Sequence, residues 1–124
     1  MPYKEFEVFT KKMGNVPKLL ELIQETDPEM FETISNLDKV ILKDGALSEK
    51  HKRLIAMCMT AQQQCDKCVD VHARAAMYHG ATKQEVMEAL FVAMLVGGAP
   101  CLSAASRTIE FLRGKTDPAD FAGE

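Results

Sequence analysis

This chain lacks a disulfide scaffold. Four cysteines in 124 residues are too few to staple a small fold together, so stability must come from a hydrophobic core. No block of lysine or arginine appears, and the net charge is −3; both argue against a general nucleic-acid binder. Regular alternation of apolar and polar residues is missing, as are hairpin turn pairs, which removes the usual signs of a β-sheet. No internal repeat rises above the general helical pattern. The opening residues Met1-Pro2-Tyr3-Lys4-Glu5 lack the apolar stretch of an export signal, so the cytoplasm is the expected compartment. Disulfides there are usually catalytic or regulatory. The longest uncharged run, Ala89 to Ser106, has the length of a membrane span, yet Gly97-Gly98-Ala99-Pro100 cuts it in half. It reads as a buried helix followed by a turn, and no membrane association is expected.

What is present is helical periodicity. The expected architecture is an all-α bundle of about six helices in one domain over residues 1–114, with a flexible tail at 115–124. Phe6, Phe9 and Met13 recur at helical spacing, and Pro17 opens a helix carrying Leu19, Leu20, Leu22 and Ile23. Asp27-Pro28 starts the next, with Met30, Ile34, Leu37 and Ile41 marking one face as far as Gly45. Ser48 caps a helix whose apolar stripe is Leu54, Ile55 and Cys58, and Gln62-Gln63-Gln64 makes the connection that follows. A further helix ends at Gly80, and Thr82 with Glu85 forms a capping box for its successor. That successor is apolar on two sides: Val86, Leu90 and Ala93 on one, Met87, Phe91 and Met94 on the other. Such a helix is central to the fold or buried between subunits. Pro100 opens a last helix ending near Gly114.

The helix ending at Gly80 carries the chemistry. Its first turns read Cys65-Asp66-Lys67-Cys68-Val69-Asp70-Val71-His72. At 100° per residue, Cys65, Cys68, His72 and His79 share an arc of roughly 60°. Val69, Ala73, Ala76 and Met77 adjoin that arc and should face the core. Asp66, Lys67, Asp70 and Arg74 should face water, with Asp70 and Arg74 paired one turn apart. Thiolates, not thiols, attack peroxides and disulfides, and a free thiol of pKa about 8.5 is only slightly ionised at neutral pH. Helix-terminal N–H groups near Cys65 lower that barrier. His72, one turn beyond Cys68, can accept its proton or stabilise the thiolate as imidazolium. A drop of about two pKa units corresponds to roughly 2.7 kcal/mol, within reach of these two effects together. Cys68 is the favoured nucleophile with Cys65 resolving; a thioredoxin-like reading reverses them, and spacing alone leaves both open.

Other readings of the same residues are blander. A structural zinc site needs a fourth ligand, and no second CxxC exists, so no metal is expected. A buried, inert cysteine pair fits poorly with a polar Asp-Lys interior. Cys58 and Cys101 read as core residues and His51 as a surface residue, while His79 either joins the reactive face or caps the helix end.

The CxxCxxxH motif, followed by Tyr78-His79-Gly80-Ala81-Thr82 and a Glu85-Val86 helix ending in Gly97-Gly98, resembles the carboxymuconolactone decarboxylase family. The cysteine pair is similar to its alkylhydroperoxidase, AhpD-like branch, over roughly Leu47 to Leu112. The resemblance implies an all-helical fold assembled as trimers or hexamers. It also implies reduction of hydroperoxides or disulfides, or recycling of a partner peroxiredoxin, by a cysteine pair with no bound cofactor. Electrons would come from lipoyl, thioredoxin-type or other dithiol reductants. By position, Cys68 matches the peroxide-attacking cysteine, Cys65 the resolving one and His72 the relay histidine. The relay glutamate of the family falls on Arg53, and its histidine before the second cysteine on Lys67. Arginine does not relay a proton at neutral pH, but it can stabilise a thiolate. Arg53, His79 and Glu49, one turn before Arg53, are therefore accessory candidates. The rival functions are a decarboxylase acting on a small lactone or acid, and a non-catalytic redox sensor.

Overall fold

A computed structural model describes residues 17–114. They form seven α-helices: α1 (Pro17–Thr26), α2 (Pro28–Leu42), α3 (Glu49–Gln62), α4 (Asp66–Tyr78), α5 (Lys83–Gly97), α6 (Ala99–Ala104) and α7 (Ser106–Gly114). No strand occurs among the described residues. The expected segment around Phe6, Phe9 and Met13 and the tail at 115–124 lie outside them. Contacts divide the chain into two units, with the boundary between Lys43 and Asp44.

In the first unit, α1 and α2 are separated by Asp27 alone. Its Oδ1 accepts the Met30 N–H at 3.1 Å, and Pro28 occupies the first turn of α2. The buried face is not the expected one. Met30, Leu37 and Ile41 are exposed, and the buried side chains are Phe31 and Ser35. Those two also stand four apart, but one position further along the chain, which turns the stripe by about 100°. Apolar residues lie on more than one side of α2, and its own periodicity does not say which side is covered.

The second unit holds the core and the cysteine motif. Ser48 Oγ accepts the His51 N–H at 3.2 Å and starts α3. Gln64, with φ 56°, lies in the left-handed region that non-glycine residues seldom occupy, and it turns the chain back into α4. Met57 and Ala61 of α3 interlock with Val69, Ala73, Ala76 and Met77 of α4, all fully buried. Ile55, expected in this stripe, is exposed. The anticipated capping box opens α5: Glu85 N donates to Thr82 Oγ1 and Thr82 N to Glu85 Oε1, both at 3.0 Å. Glu85 Oε2 also takes Lys50 Nζ at 2.9 Å, tying the start of α5 to the first turn of α3.

α5 meets α3 through small residues spaced four apart. Cys58 Sγ donates to the Ala89 carbonyl at 3.2 Å, and Gln62 Nε2 to the Ala93 carbonyl at 2.8 Å. At Gly97 a Cβ would overlap the Gln62 side chain and Cys101 Sγ. Cys101 is buried, and Cys58 is half-buried, its thiol pKa pushed up by burial and then by Cys101 nearby. The two sides of α5 differ sharply. Val86, Leu90 and Ala93 are buried and Met87 packs beside them, whereas Phe91, Val92, Met94, Leu95 and Val96 are exposed.

The expected last helix is two. The chain bends at the fully buried Ala105, where Ser106 Oγ donates to the Ser103 carbonyl at 2.7 Å. The bend lays α7 on α4 and corrects the expectation for Asp70. That residue is buried beneath α7, where its carboxylate accepts Arg74 Nε at 2.9 Å and Thr108 Oγ1 at 3.2 Å. Arg74 also stacks 3.9 Å from the centre of the Phe111 ring. A wheel drawn for α4 alone puts Asp70 in water because α7 comes from elsewhere in the chain. No helix among the described residues is long and apolar enough to cross a membrane.

Gly97→Ala tests the close approach of α5 and α3. The added methyl forces Gln62 or Cys101 to move, with an expected loss of about 1–3 kcal/mol, read from the urea midpoint. Ordinary replacement of a helical glycine acts in the opposite direction. An unchanged or raised midpoint would show that the two helices have room to spare.

Candidate active site

The CxxC motif sits where α3 ends and α4 begins. The Cys65 N–H donates to the Thr60 carbonyl at 3.1 Å, which draws the start of α4 against the last turn of α3. Cys65 is the N-cap of α4, its Sγ accepting the Cys68 N–H at 3.3 Å. The two cysteines are joined as a disulfide, with Cα atoms 5.3 Å apart. Both are half-buried, while Asp66 and Lys67 between them are exposed. This placement follows from local sequence: residues i and i+3 at a helix start share a side, and the helix opens just after the first cysteine. An open cleft of about 570 Å³, lined by Gln64, Asp66, Ala99, Pro100, Ser103 and Ala104, lies beside this end of α4.

His72 follows one turn beyond Cys68. Its Nδ1 is buried and makes no hydrogen bond among the described residues. Burial, and then the positive charge of Arg53, lower its pKa from 6.5 to about 4. Of the two roles open to it, the imidazolium is therefore not the form held at neutral pH beside the disulfide. The ring is neutral there. Arg53 is itself buried, on α3, with Nε 3.4 Å from Glu49 Oε2. The same carboxylate oxygen lies 3.0 Å from Nε2 of His79, the residue that caps the end of α4.

The candidate residues thus fall into one row along the α3–α4 seam. It runs from Cys65 and Cys68 through His72 and Arg53 to Glu49 and His79. Lys67 stays outside it. His51 is on the surface, with Nδ1 2.8 Å from Ser48 Oγ. Cys58 and Cys101 lie on the α5 and α6 side of α3, away from α4. Gln64 was not anticipated as a site residue; its sequence signal is only a polar run between two apolar stretches. Among the described residues, no three of His, Cys, Asp and Glu are grouped so as to hold a metal ion.

The family model for carboxymuconolactone decarboxylases matches residues 28–110, two-thirds of the chain and all of this seam. The chain belongs to the carboxymuconolactone decarboxylase family. It is 34% identical over 76 residues to "uncharacterized protein 4 in cox locus" of Paracoccus denitrificans, covering 61% of this chain and 68% of that protein. A Cupriavidus necator protein is 30% identical over 100 residues, covering 81% of this chain and 88% of the relative. Among solved structures, a carboxymuconolactone decarboxylase family protein from Legionella pneumophila superposes with TM-score 0.72 at 31% identity, over 90% of this chain and 97% of that one. Another family member, from Thermotoga maritima, whose suggested role is in antioxidative response, gives 0.70 at 26% identity over 83% and 88%. The all-helical fold expected of a member of this family is the one observed.

The neutral His72 has a consequence for stability. Its pKa is about 4 in the fold against 6.5 in the unfolded chain. As pH falls below 6.5 the unfolded chain therefore takes up a proton first. The stabilisation is complete above pH 6.5 and is lost progressively towards pH 4, on the order of 3 kcal/mol in all. Urea midpoints of the oxidised protein should fall across that window, and His72→Gln should flatten the fall. Equal slopes for the two proteins would contradict the placement of this ring.

Proposed function

We propose that the protein is a thiol-dependent oxidoreductase that reduces hydroperoxides or disulfides through the Cys65–Cys68 pair. One observation carries the reading: a half-buried disulfide at the first turn of α4, with an unpaired imidazole nitrogen on the residue one turn beyond it. In the proposed cycle the Cys68 thiolate attacks a hydroperoxide. The O–O bond breaks, Cys68 becomes a sulfenic acid and the alcohol leaves with a proton. Cys65 then attacks that sulfur, forming the disulfide and releasing water. An external dithiol of lipoyl or thioredoxin type returns two electrons. His72, uncharged at rest, takes the thiol proton and gives it to the departing oxygen. Family membership supports the reading, as does the antioxidative role suggested for the Thermotoga relative. A cytoplasmic location suits a disulfide that opens and closes in turnover.

The assembly belongs to the same proposal. Leu95 and Val96 are 82% and 76% exposed on α5. Together with Phe91 and Val92 they form an apolar surface that suits contact with further copies of the chain in a trimer or hexamer. Leu95→Glu should lower the mass measured by light scattering. A wild-type protein that is already monomeric would remove the oligomer from the proposal.

Activity is tested with several hydroperoxides and disulfides, offering lipoyl and thioredoxin-type donors in turn. Wild-type protein should lose two thiols per chain on oxidation and recover them over many cycles. Cys68→Ser should lose turnover almost entirely, by at least about a hundredfold. Full activity in that variant rejects the assignment. Oxidation that stops after one cycle with every donor points to a sensor, and lactone decarboxylation without thiol loss points to the rival enzyme.

A further inference from the structure

Two contacts fix the register of α3 against α4. At one end the Cys65 N–H meets the Thr60 carbonyl at 3.1 Å; at the other, Glu49 Oε2 meets His79 Nε2 at 3.0 Å. Arg53 stands seven residues before Thr60, and His72 seven residues after Cys65. Seven residues make two turns to within about 20°, so in this antiparallel pair both lie roughly 10.5 Å from the connecting turn. They also lie on the sides that carry the pinned residues. Arg53 is 7% exposed and its Nε rests 3.4 Å from Glu49 Oε2. A buried guanidinium held by a carboxylate thus stands level with a histidine whose buried ring nitrogen has no hydrogen bond.

We propose that Arg53 is a positioning residue for the redox site: clamped by Glu49, its guanidinium stands against a second positive charge on His72, so that a proton taken from Cys68 is passed on and not retained. The inference rests on the redox reading and deepens it. In the peroxide step the Cys68 proton moves to His72 as sulfur bonds to oxygen, and then to the alkoxide released from the broken O–O bond. Sulfur is oxidised to the sulfenic acid and the peroxide is reduced to the alcohol. An imidazolium formed beside a guanidinium is a stronger acid than an isolated one, which suits delivery to a leaving oxygen.

The other charges around the ring are engaged elsewhere. On α3, Lys50 is held by Glu85 of α5, and Lys52 stands about 100° round the helix from Arg53. On α4 itself, Asp70 pairs with Arg74 beneath α7, and Asp66 lies 3.7 Å from Arg107 of α7. Arg53 and Glu49 remain as the charged groups of α3 on the His72 side, and the Glu49 carboxylate is shared between Arg53 and His79. Burial first, and then the charge of Arg53, hold the ring's pKa below the ordinary histidine value.

The test is an NMR titration of the His72 ring in the oxidised full chain, for wild type, Arg53→Met, Arg53→Gln and Arg53→Lys. The wild-type ring should stay neutral well below pH 6. Its midpoint should rise by about one unit in the Met and Gln variants and stay low in the Lys variant. In turnover, the acid limb of kcat against pH should move up in Arg53→Met and return in Arg53→Lys. A wild-type midpoint at the ordinary histidine value overturns the proposal without any variant. So does an unmoved midpoint in a Met or Gln variant whose circular dichroism is native. The titration needs no turnover, so the two readings separate. A shifted ring in a protein inactive on peroxides and disulfides upholds the hold of Arg53 on His72 and overturns the redox function.

Discussion

The seam between α3 and α4 is the constraint on which the site depends. It is pinned at the Thr60–Cys65 turn and again at the Glu49–His79 contact, and its middle is filled by residues with no exposed surface, Met57, Ala61, Val69, Ala73 and Ala76. Alanines on both helices let them approach closely, and close approach sets the level of every side chain along them. A slip of one residue would carry Arg53 round its helix by about 100° and remove it from His72. The α5 contact behind the seam reinforces the register. Cys58 and Gln62 reach from α3 to consecutive carbonyls on the small-residue stripe of α5, where Gly97 leaves no room for a methyl group.

Most buried polar groups of this unit obey a common rule. Asp70 has two partners, Thr108 is bonded to Asp70, and Arg74 has a carboxylate and an aromatic face. Each burial cost is offset by a bond. His72 Nδ1 departs from it. An unsatisfied ring nitrogen costs about 1–3 kcal/mol, and a fold able to satisfy Asp70 so fully could have given it a partner. Its position one turn from the disulfide supplies a reason. In the proposed cycle reduction would make a thiol proton available at that end of the helix, and the missing hydrogen bond would belong to one half of that cycle.

Much of this was legible in the residues because it is local. The Asp27, Ser48 and Thr82 caps, the Glu85 half of the capping box and the CxxC at a helix start each lie within four residues of what they bind. The arc holding Cys65, Cys68 and His72 needs only helical geometry. What escaped is what arrives from far along the chain. Asp70 was assigned to water because α7, some 38 residues on, covers it through Thr108. The exposed Ile55 and the turned stripe of α2 fail for a related reason: apolar residues on several sides leave the choice of buried face to packing. The break at Ala105 lacks a glycine or proline to announce it. Arg53 was visible as a departure from its family's pattern, but its level beside His72 emerges only from the register of two helices.

The cap hydrogen bond also gives the disulfide a polarity. Cys65 Sγ already accepts the Cys68 N–H, and negative charge on it would be favoured further by the N-terminus of α4. The sulfur that more readily carries charge is the better leaving group, so in the proposed cycle a reducing thiolate would attack the other sulfur, Cys68. The mixed disulfide of that cycle would then form one turn from His72, with Cys65 left as the thiolate. In the oxidative half of the proposed cycle the same bias would prepare Cys65 to resolve a sulfenic acid on Cys68. Reversed roles would let the cap activate Cys65 as nucleophile, yet they would place the imidazole two turns from the attacking sulfur instead of one. Attack through Cys68 is the arrangement in which the helix cap and the neutral imidazole both contribute.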